Sequence, residues 1–321
     1  DVMAMCICVG DKLLQARADD VFIGSPPLAF TFGLGMQLAF PLYAGATTVL
    51  IESPSPPNLA KAISEYGATI CATAPTAYRV LLESKNDANF SSLRKCVSAG
   101  EQLPDAVRQA WLNETSLQLI DGLGATEMIH IFVSAREDEV RQGKVGKAVE
   151  GYEICVLDDE YQPANCGQLG FLAVKGPTGC KYLNDERQKE YVVDGWNVTG
   201  DTGELDEEGY FRFCARSDDI IVSAGYNIAP VEVESAILNH PKVVDCAVVG
   251  VPDEARGQLV KAYVVLNEDF GAEHEQMQMQ EELKAFVKST IAPYKYPRAI
   301  EFVAELPRTN TGKVQRYLLR K

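Results

Sequence analysis

The sequence has 321 residues, 46% of them hydrophobic and 23% charged, which is ordinary for a globular protein with room for two or three domains. Its formal net charge of −15, from 30 basic and 45 acidic residues, argues against a nucleic-acid partner and against an anionic membrane surface. It leaves room for an anionic small ligand at a local basic site. No apolar run is long enough to span a bilayer, and the opening residues carry no signal-peptide pattern.

The nine cysteines include no Cys-x-x-Cys pair, and most stand beside apolar residues. Reduced, buried thiols in a cytoplasmic protein are the expectation. His130, His240 and His274 are isolated in sequence, which disfavours a metal cluster, a Ser-His-Asp triad or a Cys-His pair.

In chain order, Val21-Phe22-Ile23 predicts a strand after Asp20, and residues 36–43 a helix. Residues 45–51 read as a buried β-branched strand, and Pro54, Pro56 and Pro57 as a loop. Helices are predicted over 59–66, 75–84 and 104–113, with strands over 67–72, 95–98 and 117–120 between and after them. Strands alternating with helices predict an α/β fold, a mostly parallel sheet covered on both faces. After Arg141 short β runs, 152–157 and 170–176, are separated by glycine-bearing turns and predict a small β-barrel subdomain. Beyond Asp219 come a helix over 230–239, strands over 243–251 and 260–266, a polar loop or helix start over 271–280, a helix over 281–290 and a strand over 299–303. These make a small α+β C-terminal domain. The expected division is 1–142 for the α/β part, 143–217 for the β-barrel subdomain and 218–321 for the C-terminal domain.

Ligands of an open α/β sheet sit beyond the carboxyl ends of its strands. Two polar, glycine-bearing turns fall at such ends, Ser98-Ala99-Gly100-Glu101 and Asp121-Gly122-Leu123-Gly124-Ala125-Thr126-Glu127. The second is, at its plainest, a tight β-to-α turn capped by a threonine. It also offers glycines that let the backbone approach a nucleotide, a hydroxyl for phosphate, and a carboxylate suited to a hard ion such as Mg²⁺.

The densest polar stretch is residues 195–234, GWNVTGDTGELDEEGYFRFCARSDDIIVSAGYNIAPVEVE. Trp196, Val198 and Thr199 read as a strand entering Gly200-Asp201, and Asp206-Glu207-Glu208-Gly209 as a hairpin turn. Tyr210, Phe211 and Phe213 read as the returning strand. A carboxylate just after a strand, as at Asp201, suits paired hydroxyls such as those of a ribose. An arginine across the hairpin, Arg216, supplies fixed donors for a phosphate or ribose oxygen. Taken singly, each is a surface charge on a solvated hairpin. The run Leu306-Pro307-Arg308-Thr309-Asn310-Thr311-Gly312-Lys313 is likewise, by itself, an exposed polar loop.

In combination and in this order, these motifs resemble the adenylate-forming superfamily of acyl- and aryl-CoA synthetases, luciferases and peptide-synthetase adenylation domains. The resemblance runs from about Ser25 to the end of the chain. It implies ATP, Mg²⁺ and coenzyme A as cofactor and co-substrates. It assigns adenine contacts to Ala99, Gly100, Glu101, Asp121, Gly122 and Leu123, phosphate to Thr126, Mg²⁺ to Glu127, and ribose and phosphate to Asp201 and Arg216. It further implies that Lys313 neutralises transition-state charge, that Asp218 is a hinge, and that Gly225 lies beside a pantetheine tunnel that a side chain would obstruct. No catalytic Cys or His is needed, because the reaction requires alignment and charge neutralisation.

Within the superfamily, the runs PPLAFTFGLG (26–35) and TEMIHIF (126–132) look most like benzoate- and 2-aminobenzoate-CoA ligases. Phe32, Met128 and Ile129 are then candidate walls of a flat apolar pocket, or simply core. The expected partners are an aromatic acid, ATP and CoA, with no nucleic acid and no membrane span. Homodimerisation is left open. Another acyl-CoA synthetase, a peptide-synthetase adenylation domain, a luciferase-like oxidative enzyme and a non-catalytic nucleotide-binding remnant are the alternatives. The family's Ser/Thr/Gly-rich phosphate loop ending in Lys is not found among the 321 residues, and the chain reads as N-terminally incomplete. The polypeptide alone is therefore expected to adenylate poorly.

Overall fold

Proline and glycine punctuate the first half of the chain. Pro56 and Pro75 open the helices Pro56–Tyr66 and Pro75–Glu83, at positions where the N–H they lack has no intrahelical partner. Gly67 closes the first of these at φ 60°. In the computed structural model, which describes residues 1–84, 88–267, 273–309 and 314–320, the chain packs as two compact units, Asp1–Phe213 and Cys214–Lys321.

The first unit contains a seven-stranded sheet of order β2-β1-β3-β4-β5-β6-β7. The strands are β1 (Val21–Gly24), β2 (Thr47–Val49), β3 (Ile70–Thr73), β4 (Lys95–Ala99), β5 (Leu119–Gly124), β6 (Ile131–Ser134) and β7 (Lys147–Ala148). Pairing is parallel from β2 through β5, and β6 and β7 add antiparallel edges. Side-chain alternation in the buried strands sorts the core into two faces. Phe22, Ile70, Val97 and Ile120 join Met5, Val9, Met36 and Phe40 on one side. Ile23, Cys71, Cys96 and Leu119 join Leu59, Ile63, Tyr78, Leu81 and Trp111 on the other. A second, antiparallel sheet follows, built of β8 (Glu153–Leu157), β9 (Gly170–Lys175), β10 (Val192–Val193), β11 (Trp196–Leu205) and β12 (Phe211–Arg216).

The second unit has a sheet of β13 (Ile221–Ser223), β14 (Tyr226–Ile228), β15 (Val243–Asp253), β16 (Gly257–Leu266) and β17 (Ala299–Phe302). Val248, Val260, Ala262 and Val264 pack against Val233 and Ile237 of the helix Pro230–Leu238 and against Met279, Leu283 and Val287 of the helix Glu273–Thr290. Ala247, Val249 and Tyr263 face the other way, onto Leu306 and Leu319. No helix of the described residues is long and apolar enough to cross a membrane.

Several details depart from the sequence reading. Residues 2–13 are helical, regular over Val2–Met5 and wide-turned over Cys6–Leu13, where no element was predicted. The helix expected at 36–43 begins at Thr31 and runs, through a wide-turned segment Gly35–Ala39, to Ala44. β2 is shorter than 45–51 and sits at the sheet edge, with Thr47 exposed and Thr48 and Val49 only half buried. The helix expected over 281–290 begins at Glu273, so most of the polar segment before it is helix, not loop. The units divide after Phe213, ahead of the boundary expected at 217/218.

Candidate active site

β4 and β5 are parallel neighbours in register, Ser98 beside Asp121 and Ala99 beside Gly122, so their carboxyl ends open side by side. Gly100 turns the chain there at φ 91°. Glu101 accepts a 3.1 Å hydrogen bond from Thr76 Oγ1, on the helix that follows β3. β5 runs further than predicted: Asp121, Gly122 and Leu123 lie within it. The Asp121 side chain is buried and 3.7 Å from Arg108 Nη2, whose Nη1 donates to Leu119 O at 2.9 Å. Burial pushes Asp121 up to about 7, against the pull of Arg108. Its carboxyl thus faces the helix Asp105–Thr115.

Thr126, Glu127 and Met128 form a single 3₁₀ turn between β5 and β6, with the Met128 side chain fully buried. Ile129 follows at φ 69°, a left-handed backbone for a β-branched residue, which costs about 1–3 kcal/mol and marks a place where packing dictates conformation. Thr178 Oγ1 donates to Met128 O at 2.9 Å, and Tyr182 Oη donates to Glu127 Oε1 at 2.7 Å. Both donors come from the segment between β9 and β10.

Phe32 is half-buried beside His130, with ring centroids 5.8 Å apart, and Phe40 meets the same imidazole edge-on at 4.7 Å. A Cβ on Gly35 would stand 2.4 Å from the His130 ring, so this close approach requires the glycine. His130 is 2% exposed. Burial drives it down to about 4, the Phe32 backbone opposing, and the ring is neutral at pH 7. Among the described residues, neither ring nitrogen makes a well-formed hydrogen bond. A buried polar group without a partner is costly, and these nitrogens are the polar feature beside Phe32, Met128 and Ile129.

Asp201 does not follow a strand, as expected, but lies inside β11, beside an irregularity between Val198 and Thr202 that Gly200 accommodates at φ 76°. Its backbone N–H donates to Thr199 Oγ1 at 3.2 Å, and the residue is buried. The Tyr191 hydroxyl is buried without a hydrogen-bond partner among the described residues. Burial raises its pKa most, and the charges of Glu127 and Asp201 both add to that rise. Glu127 and Asp201 therefore both act electrostatically on Tyr191.

Four candidates, Arg216, Asp218, Gly225 and Lys313, belong to the second unit. Arg216 ends β12, half-exposed, with Nε 3.6 Å from an Asp218 carboxylate oxygen, and Asp218 is exposed. Gly225 (φ 80°) and Ala224 (φ 51°) form the two-residue turn between β13 and β14, the geometry that favours glycine in a tight hairpin. A Cβ on Gly225 would meet nothing within 4 Å, so the turn rather than local crowding explains the residue. Lys313 lies outside the described residues.

The Glu127 carboxylate is a hard donor of the kind that suits Mg²⁺, an ion that completes its shell with substrate phosphates and water. The described residues contain no group of three or more His, Cys, Asp or Glu able to hold a metal by themselves. His130, Tyr182 and Tyr191 are features the sequence reading did not single out. His130 stands in a quoted run but looked isolated, and Tyr182 reaches Glu127 across 55 residues.

The AMP-binding enzyme family profile matches residues 2–182, and that of the AMP-binding enzyme C-terminal domain matches residues 232–313. Benzoate–CoA ligase of Thauera aromatica is 38% identical over 314 residues, covering 96% of this chain and 59% of the relative. The mitochondrial acyl-coenzyme A synthetase ACSM3 of Mus musculus is 40% identical over 272 residues, 82% of this chain and 47% of the relative. The crystal structure of the anthranilate CoA ligase AuaEII in complex with anthranoyl-AMP superposes with a TM-score of 0.90 at 38% identity, covering 98% of this chain and 62% of that one. The chain thus spans between about half and two thirds of the length of these proteins. With both family profiles matched in order and relatives near 40% identity across most of its length, the chain belongs to the adenylate-forming AMP-binding enzyme family.

Proposed function

We propose that the protein activates an aromatic carboxylic acid, of the benzoate or 2-aminobenzoate type, with ATP and passes the acyl group to coenzyme A. The observation that carries this reading is the continuity of one segment. Thr126 and Glu127, suited to phosphate and Mg²⁺, run directly into Met128, Ile129 and His130 beside Phe32. In this reading the groups assigned to phosphate and Mg²⁺ and those assigned to the acid's ring lie within five consecutive residues and Phe32. The names of the benzoate and anthranilate ligases among its relatives support the same acid class.

A carboxylate is a poor acyl donor because its oxygen leaves badly. In the proposed reaction the acid's carboxylate attacks the α-phosphorus of ATP, pyrophosphate departs, and the acyl-adenylate forms. A thiol then attacks the acyl carbon and AMP departs. Mg²⁺, when bound, neutralises phosphate charge. The chain's own groups align and stabilise. Thr126 and the backbone of residues 99–101 and 121–123 bracket the nucleotide, Asp201 and Arg216 take ribose and phosphate oxygens, and Lys313 neutralises charge at the reacting carboxylate. The family resemblance assigns Asp218 to the hinge and Gly225 to the thiol's approach. Phe32, Met128 and Ile129 hold the ring, and His130 offers a neutral nitrogen to a polar group on it.

A second reading, a different acyl-CoA synthetase, has the identity to the ACSM3 enzyme in its favour. The test incubates the full-length gene product with ATP, Mg²⁺, CoA and a panel of benzoate, 2-aminobenzoate, cinnamates, medium-chain fatty acids and amino acids, and identifies thioesters by mass spectrometry. An aryl-CoA from benzoate or 2-aminobenzoate is the expected product. Preference for a fatty acid overturns the aromatic assignment. Adenylate without any thioester moves the acceptor to something other than CoA.

A further inference from the structure

Residues 176–195 cross the Thr126–Met128 turn and touch it twice. Thr178 is fixed at the base: its hydroxyl lies 3.0 Å from Tyr152 Oη and donates to Met128 O at 2.9 Å. Four residues on, Tyr182 Oη donates to Glu127 Oε1 at 2.7 Å. Tyr182 is itself held in place. Its backbone N–H donates to Gln188 Oε1 at 2.7 Å, and its ring meets Tyr191 edge-on at 5.8 Å. The Arg187 guanidinium lies 4.8 Å over the ring centroid. Arg187 is also paired with Asp185 at 2.6 Å, so its charge is taken up locally.

A phenol that grips one carboxylate oxygen fixes the plane of the carboxylate and leaves the second oxygen to face outward. Outer partners of this kind orient a metal-binding carboxylate and set its affinity. We propose that Tyr182 is a positioning residue for Glu127: by holding Oε1 it presents the other carboxylate oxygen to the divalent cation that accompanies the nucleotide. The proposal rests on the reading of Glu127 as the Mg²⁺ ligand. No bond forms or breaks at Tyr182, and its contribution is geometric. Tyr191, whose hydroxyl has no hydrogen-bond partner among the described residues, packs edge-on against Tyr182.

The test measures Mn²⁺ binding by electron paramagnetic resonance in the full-length protein with ATP present and no acid, so that nothing turns over. Glu127→Gln is expected to weaken Mn²⁺ binding by at least about tenfold, and Tyr182→Phe, which keeps the ring and removes the hydroxyl, by about tenfold. The double variant is expected to match Glu127→Gln alone, because Tyr182 acts only through that carboxylate. Unchanged binding in Glu127→Gln removes the ligand reading and the proposal with it. Weak binding in Glu127→Gln but unchanged binding in Tyr182→Phe overturns the proposal alone, as does an additive loss in the double variant. Should Tyr182→Phe fail to fold, Gln188→Ala removes the support beneath Tyr182 while leaving the Tyr182 and Glu127 side chains intact. It is expected to weaken Mn²⁺ binding about threefold, and unchanged binding there overturns the proposal.

Discussion

Asp20 stands at the amino end of β1, on the side of the sheet away from the candidate site, and replacing it separates stability from chemistry. Its buried carboxylate accepts hydrogen bonds from Thr69 Oγ1 at 2.7 Å, from Arg17 N at 2.7 Å and from Arg94 Nε at 2.6 Å. A second, shorter bond comes from Arg94 Nη2. The carboxylate thus ties together the starts of β1, β3 and β4, while backbone bonds, Thr47 N to Asp20 O at 3.0 Å and Arg94 N to Thr69 O at 2.8 Å, join β2 to β1 and β4 to β3. Asp20→Ala leaves the Arg94 guanidinium, 23% exposed, without its carboxylate. Removing one partner of a buried pair costs about 3–5 kcal/mol. Asp20→Asn, which keeps part of the hydrogen bonding, costs about 2 kcal/mol.

Burial alone would raise the Asp20 pKa; the bonds from Arg94, Thr69 and Arg17 outweigh it and hold the carboxyl below its ordinary value. A lowered folded pKa stabilises above the unfolded value, near about 4, and that stabilisation is lost as pH falls through the folded value. The gap between wild type and Asp20→Ala is therefore full at pH 7 and shrinks in acid. Urea denaturation followed by Trp111 fluorescence reads it, since Trp111 is fully buried in the same unit. A gap under about 1 kcal/mol at pH 7, or one that does not change with pH, refutes the reasoning. The rate of adenylate formation in the folded fraction is expected to stay within about twofold, a factor worth under about 0.5 kcal/mol.

The second unit makes a parallel case. Glu234 accepts both 2.8 and 2.9 Å bonds from Arg316 Nη2 and a 2.8 Å bond from Val248 N, and Glu234→Ala is expected to cost that unit about 3–5 kcal/mol. A change under about 1 kcal/mol in its denaturation midpoint analysis counts against a structural role. Asp121 has the opposite pH sign. Its folded pKa, about 7, lies above the unfolded value, so holding it buried grows costlier as pH rises between the two. Asp121→Asn is expected to match wild type near pH 4 and to exceed it in stability at pH 8, and equal melting curves at pH 8 contradict this.

The sequence carried the α/β alternation because its punctuation is local: Pro56, Pro75, Gly45 and Gly67 stand at helix ends where their backbone requirements place them. The helix Glu273–Thr290 was read too short because its first turns are polar and exposed. Its core contacts, Met279, Leu283 and Val287, begin only in its second turn. The helical segment 2–13 has Asp1 at its N-cap but no side-chain cap bond, it includes Gly10, and its packing onto Phe40 is a tertiary fact. At the candidate site the glycine-bearing turns and Thr126–Glu127 were legible as a contiguous pattern. The commitment of Asp121 to Arg108, the orphaned nitrogens of His130 and the grip of Tyr182 on Glu127 were not. Each depends on which face of an element a residue occupies and on neighbours far away in sequence.

The central claim is aryl adenylation, and exchange of labelled pyrophosphate into ATP in the absence of CoA tests it most directly. The full-length protein is expected to support exchange that depends on benzoate or 2-aminobenzoate and to accumulate the matching aryl-adenylate, with exchange abolished in Lys313→Ala. Exchange that depends on no acid in the panel, or that survives unchanged in Lys313→Ala, would contradict the account.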